Sequence, residues 1–255
     1  MLNYIIWNAD PIAFSLGSLT FKWYGLSWGI GLLCASFFLQ FIHSKENKDS
    51  QHAMKILEYL FIGALIGARL GAVFFYESQY FLENPLEILK IWKGGLASHG
   101  GGIGMLVALA LFVRNYPNYT YWWIIDRLSI IICLIGGCIR LGNLMNSEIY
   151  GKTTDVSWAF IFTKIDQLPR HPSQLYEAFM VFGLFGLFFY WYNQGKYRGA
   201  GCMTGWYFTL AFGLRTLLEF FKESAVTTQL LNVPFVVVGV FLLLRCRRNN
   251  KKTLK

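Results

Sequence analysis

Apolar residues run through the chain in long blocks separated by short polar stretches. Seven blocks approach the roughly 20 residues that a helix needs to cross a bilayer. They lie near Trp23–Ile42, Ile56–Tyr76, Leu96–Val113, Trp122–Leu144, Leu175–Tyr192, Cys202–Phe221 and Leu230–Leu244. His99, Asp126 and Arg127 interrupt the third and fourth; the seventh is short and carries Pro234, which suits a tilted or thinly covered helix. The stretches Glu77–Gly95 and Met145–Gln174 are long enough to hold structure, and Ser157–Phe162 (SWAFIF) reads as a short β-like piece. Gly63, Gly67 and Gly71 form a GxxxGxxxG ridge suited to close helix packing. The pattern predicts an all-α polytopic membrane protein of about seven transmembrane helices, one domain over 1–255. A small extracytoplasmic head at 145–174 is expected between spans four and five.

Composition sharpens this picture. The 255 residues are 55% hydrophobic and only 15% charged, with mean hydropathy +0.41. A soluble domain carries about 25% charged residues, so this apolar mass exceeds what a water-facing surface hides, and disorder is excluded. The net charge of +9 would suggest nucleic acid if the basic residues shared one wet face. Instead Arg245, Arg247, Arg248, Lys251, Lys252 and Lys255 crowd a tail behind an apolar run, as beside an anionic leaflet. No basic segment precedes Lys22, so no cleaved signal peptide is expected.

With seven spans, the first loop and the C-terminus share a side. That side holds Lys45, Lys48, Lys55, Arg114, Arg127, Lys196, Arg198 and the tail; the other holds Lys22, Lys90, Lys93, Lys152, Lys164, Arg170 and Lys222. The positive-inside bias places the N-terminus outside and the C-terminus in the cytoplasm. Cys34, Cys133 and Cys138 fall within spans and Cys202 and Cys246 at cytoplasmic ends. No pair then reaches the oxidising face where disulfides persist, so none is expected.

Arg69, Arg140 and Arg215 sit inside spans, where an arginine costs about 2.5–3.5 kcal/mol and by default marks function. In RLGNLMNSEIYG a continued helix would align Arg140, Asn143 and Ser147 on one stripe, with Asn146 and Glu148 at its outer end, which reads as a polar pocket. Arg215 and Glu219 stand at i and i+4 and can pair. Arg69 faces away from the glycine ridge, and a structural pairing with a carboxylate such as Glu77 is expected. His99 lies in GGLASHGGGIG, where so much glycine implies close backbone approach to something. In RHPSQLYE, Pro172 suits the first helical position with Gln174 at N3, and Gln174 and Glu177 share a face. The sequence lacks HExxH, Walker A and GxSxG patterns, which weakens metal, nucleotide and serine-hydrolase readings. Without repeats, a transporter of an anionic lipid or metabolite is the weaker alternative.

Taken in order, WYGL at 23–26, GARLGAVFFY at 67–76, HGGGIG, RLGNLMNSEIYG, RHPSQLYE and LRTLLEFF at 214–221 resemble the prolipoprotein diacylglyceryl transferase family over nearly the whole chain. Ile139 and Leu144 depart from the family's usual Gly and Phe, while the polar positions are intact. The resemblance implies a bacterial inner-membrane enzyme that moves a diacylglyceryl group from phosphatidylglycerol to the lipobox cysteine of a preprolipoprotein signal peptide. A thioether forms and glycerol phosphate leaves. It implies membrane lipids as surroundings, and neither cofactor, metal nor nucleic acid. Arg140 and Arg215 would clamp the phosphate, with Glu219 orienting Arg215; guanidinium forks suit phosphate. Asn143, Asn146, Glu148 and Gly151 would shape the glycerol site, Tyr24 would add a polar contact, and His99 is the candidate base, with substrate-assisted deprotonation as its alternative. The reacting thiol is the substrate's, so no resident cysteine is expected to act in catalysis.

Overall fold

The structure, a computed structural model, describes residues 4–91, 94–196, 199–222 and 226–253; Lys93, Arg198 and Lys255 of the charge pattern lie outside them. In chain order the elements are β1 (Ile5–Trp7), β2 (Ile12–Leu16), β3 (Leu19–Lys22), α1 (Trp23–Lys45), α2 (Gln51–Phe75), α3 (Ser78–Glu83), α4 (Ser98–Asn115), α5 (Tyr121–Met145), β4 (Phe160–Phe162), β5 (Pro169–Arg170), α6 (Ser173–Asn193), α7 (Cys202–Leu218) and α8 (Val226–Thr253). Short 3₁₀ turns occupy Pro85–Leu89 and Glu219–Phe221.

Each of the seven apolar blocks is a helix. Five of these helices are long and apolar enough to cross a membrane: α1, α2, α5, α6 and the Leu230–Arg248 stretch of α8. Helices α4 and α7 are shorter, at 18 and 17 residues. The sixth block stops being α-helical at Leu218 and finishes in a 3₁₀ turn, whereas α8 runs on past Leu244 through the basic tail, with Pro234 inside it. Arginine and lysine are good helix formers, so the end of the apolar block does not end the helix. Large apolar side chains point outward along these helices, among them Phe37 (68% exposed), Phe74 (68%) and Phe179 (74%).

The all-α expectation is corrected by two small sheets. Strands β2 and β3 form an antiparallel hairpin whose two-residue turn places Gly17 at φ 61, a conformation glycine adopts freely. Strand β4 lies between β1, parallel to it, and β5, antiparallel. Of the SWAFIF stretch only the last three residues are a strand. This sheet forms because Trp7, Leu144, Phe160, Phe162 and Leu175 gather in one apolar cluster, with the Trp7 indole donating to Leu144 O at 3.1 Å.

The chain divides into two compact units, Leu39–Ile124 and Met1–Phe38 with Ile125–Lys255. The first is organised by α2 against α4. The Gly63/Gly67/Gly71 ridge meets Gly100 and Gly104 so closely that a Cβ at Gly67 would lie 2.7 Å from Gly104 Cα, and one at Gly71 2.9 Å from Gly100 Cα. Gly100 and Gly104, beside His99, thus serve helix-on-helix contact. Arg69 does not pair with Glu77. It donates to four carbonyls, Ile88 O at 2.9 Å, Gly94 O at 2.7 Å, Gly95 O at 3.0 Å and Glu87 O, and lies 4.7 Å over the Phe81 ring. A loop of backbone acceptors satisfies a guanidinium as well as a carboxylate does, without burying a second charge.

In the second unit α5, α6 and α7 share a core of Ile130, Cys133, Leu184, Phe188, Met203 and Ala211. The Asp126 that interrupts the apolar block of α5 is explained here. Its carboxylate accepts from Gly201 N (2.8 Å), Thr204 N (2.9 Å) and the Thr204 hydroxyl (2.7 Å), so it caps the N-terminus of α7 from another helix. Asp126→Ala orphans these donors and is expected to cost about 1–3 kcal/mol for each buried group left unpaired, with Asp126→Asn milder. Thermal unfolding in detergent micelles checks this; an unchanged midpoint for the alanine variant contradicts the capping role. One expectation about cysteines fails: Cys202 is bonded to Cys246, with Cα atoms 5.6 Å apart. The cause is close pairing of α7 with α8, where a Cβ at Gly239 would lie 2.6 Å from Thr209 N, so their ends meet. Compartment governs whether a disulfide persists, whereas helix pairing governs whether two cysteines meet.

Candidate active site

Helix α5 delivers the first arginine. Arg140 and Asn143 share a face one turn from its end, and the Arg140 Nη1 donates to Asn143 Oδ1 at 3.4 Å. The stripe does not extend to Ser147. The helix ends at Met145, and Ser147 and Ile149 both adopt left-handed backbone, φ 56 and 55, on either side of Glu148. For a β-branched residue such as Ile149 this is an outlier, of the kind that clusters at ligand sites. The turn is held from both ends: Glu148 N donates to Asn143 O at 2.9 Å, Ser173 Oγ to Ile149 O at 2.6 Å, and Gln174 Nε2 to Glu148 O at 2.6 Å. Pro172 is accordingly the N-cap, not the first helical residue of α6, and Gln174 braces the neighbouring turn in place of a capping box. The Glu148 carboxylate then receives Asn146 Nδ2 at 2.6 Å and Asn143 Nδ2 at 3.3 Å.

The second arginine comes from α7. Arg215 Nε lies 3.6 Å from Glu219 Oε1, the expected i, i+4 pair. Two residues that the sequence reading left out of the site join the halves. Glu177, on the second turn of α6 and 2% exposed, places Oε2 2.6 Å from Arg140 Nε and Oε1 on Lys222 Nζ. Lys222 in turn lies 3.2 Å from Glu219 Oε1. A continuous chain of charges thus runs Arg140–Glu177–Lys222–Glu219–Arg215. Glu177 stood in RHPSQLYE as an acid inside an apolar block, and Lys222 three residues beyond Glu219; both signals were present. Arg140, Glu177 and Arg215 line one cavity of about 150 Å³, closed by Met180, Val181, Tyr207 and other apolar groups.

Gly151 lies where no side chain fits: a Cβ would meet His171 Cβ at 2.6 Å and Phe221 O at 2.6 Å. Its N–H donates to His171 O and Lys152 N to Phe221 O, both at 2.9 Å, which ties the polar turn to the residues just before Lys222. Tyr24, half-buried on the first turn of α1, has its backbone at Gly142, whose Cβ would lie 3.2 Å from Tyr24 Cα. Arg170 braces this region: it binds Asp166 (Nη2–Oδ2 2.6 Å), reaches Gly151 O at 3.4 Å and lies 4.9 Å over the Tyr150 ring. That guanidinium holds the Asp166 carboxyl below its usual range, and burial, helped by Lys152, lowers His171. His99 belongs to the other unit, exposed on the first turn of α4. Among the described residues no group of three or more His, Cys, Asp or Glu side chains has an arrangement to hold a metal ion.

Chemically, the cluster offers two guanidinium groups beside a small cavity, each ion-paired with a buried carboxylate, next to two amides and an acid at a strained turn. That arrangement suits an anionic headgroup whose charge changes during reaction. A family model described as prolipoprotein diacylglyceryl transferase matches residues 11–245. The phosphatidylglycerol–prolipoprotein diacylglyceryl transferase of Tolumonas auensis is 45% identical over 249 residues, covering 94% of this chain and 96% of its own length. The proteins of that name from Chloroherpeton thalassium and Porphyromonas gingivalis are 43% and 35% identical, covering 94% and 96% of each chain. The chain belongs to the prolipoprotein diacylglyceryl transferase family.

Proposed function

We propose that the protein transfers the diacylglyceryl group of phosphatidylglycerol to a prolipoprotein cysteine in the bacterial inner membrane. The substrate sulfur attacks the glyceryl carbon that carries the phosphate ester. The C–O bond breaks as the C–S bond forms, and glycerol phosphate leaves with the bonding electrons. The observation that carries this reading is the shared cavity of Arg140 and Arg215, where two fixed forks meet the charge that grows on the departing phosphate. Glu219 orients Arg215; Asn143, Asn146, Glu148 and Gly151 shape the glycerol site, and Tyr24 adds a polar contact. His99 takes the thiol proton; a free thiol, with pKa near 8.5, is only a few per cent ionised at pH 7. The test is reconstitution in vesicles with labelled phosphatidylglycerol and a lipobox peptide. A lipidated peptide is expected. Flux of lipid without peptide modification favours a transporter, and the absence of both results sinks both readings.

In this reading the seven long helices all cross the bilayer, α4 and α7 included, with the N-terminus outside and residues 145–174 as an outer head. The outward-facing apolar side chains then meet lipid. Single cysteines placed in 145–174 are expected to react with an impermeant thiol reagent from outside, and cysteines in 245–255 only from the cytoplasm. Reversed labelling overturns the orientation and, with it, the outer-leaflet site.

A further inference from the structure

We infer that Glu177 is the positioning residue that aims the Arg140 fork, and that Lys222 is the charge that lets Glu177 and Glu219 act side by side. This deepens the transferase reading and rests on it. Glu177 is nearly inaccessible and forms an ion pair with Arg140, its Oε2 lying 2.6 Å from Nε. The ion pair at Nε holds the charge of the group in place and leaves its two terminal amino groups for other acceptors, of which Nη1 meets Asn143 Oδ1 only at 3.4 Å. On the other side Glu219 stands 3.6 Å from Arg215 Nε, an ion pair beyond hydrogen-bond reach. Both carboxylates are 2% exposed, and both turn an oxygen towards the single ammonium of Lys222, itself 8% exposed. Without that ammonium two buried like charges would face each other, and one carboxylate would have to turn away or take up a proton. The two arginines are therefore coupled: their separation across the cavity is set by the Glu177–Lys222–Glu219 bridge.

The assay is the vesicle reaction with phosphatidylglycerol and lipobox peptide, run on full-length protein. Glu177→Gln keeps the size of the side chain and removes its charge. It is expected to lower kcat by about 100-fold, the scale of a misplaced reacting group, with KM for the lipid changed less than threefold. Lys222→Met is expected to fall similarly, and the Glu177→Gln/Lys222→Met double variant no further than the worse single, because they act as one unit. Glu177→Asp, which keeps the charge on a shorter arm, should recover part of kcat. If Glu177→Gln does not insert, Glu177→Asp and Lys222→Met carry the same test. Parental kcat in Glu177→Gln or Lys222→Met, or losses that simply multiply in the double variant, overturns the inference while leaving the transferase reading intact. A parent protein that lipidates no peptide overturns both.

Discussion

Arg140→Lys and Arg215→Lys should each lose about 100- to 1,000-fold in kcat, the scale seen when one fixed donor to a developing anion is removed, although each keeps its charge. Lysine has one nitrogen. Held by Glu177 at position 140, or by Glu219 at 215, an ammonium would satisfy the buried carboxylate and have no second arm for the phosphate. The neighbouring lysine shows what that looks like, since Lys222 already spends its ammonium on Glu177 and Glu219. Single-turnover transfer at matched membrane levels measures the effect. Near-parental turnover in either variant would falsify the two-arginine clamp.

Gly104→Ala should destabilise the protein by about 1–3 kcal/mol or more, the usual cost of overpacking. A Cβ there collides with Gly63 O and lies 2.9 Å from both Gly63 C and Gly67 Cα. These are backbone atoms of a helix, which cannot swing aside, so α2 and α4 must separate along their whole contact. Gly102→Ala is the matched control two residues earlier: a Cβ there meets nothing within 4 Å, and alanine should favour the helix. Unfolding midpoints in one detergent decide it. Equal midpoints for the two variants would show that the glycine contact is not what holds these helices.

The contrast between those neighbours marks what sequence makes legible. The apolar blocks foretold seven helices because hydropathy is local, and the GxxxGxxxG spacing foretold a contact surface on α2. It did not name the partner, since Gly100 and Gly104 read equally well as room for a ligand. Of the strands only β4 showed, inside the SWAFIF stretch; the others are two to five residues long, and β1 pairs at long range, Ile5 with Phe160. In the site, Arg140 with Asn143 and Arg215 with Glu219 were readable at helical spacing. Glu177 to Lys222 spans 45 residues and two helices, a distance at which spacing carries no information. Arg69 was given a carboxylate partner because a search by opposite charge does not see loop carbonyls, and four of them hold it. Cys202 and Cys246 were judged by compartment, when helix pairing had already decided that they meet.

The cap on α7 has a consequence in time. Asp126 precedes its first partner, Gly201, by 75 residues. At about 5–20 residues per second of synthesis, the ribosome needs roughly 4–15 s to make that stretch. Through that interval α5 exists with its acid and without the amides that will neutralise its need, so the nascent chain must hold Asp126 near water or inside the insertion machinery. Helix α7 meets the opposite situation, emerging beside an acceptor already made. Assembly of this unit is therefore ordered by the direction of translation: an acid that is costly to place in lipid waits for the helix it will finish.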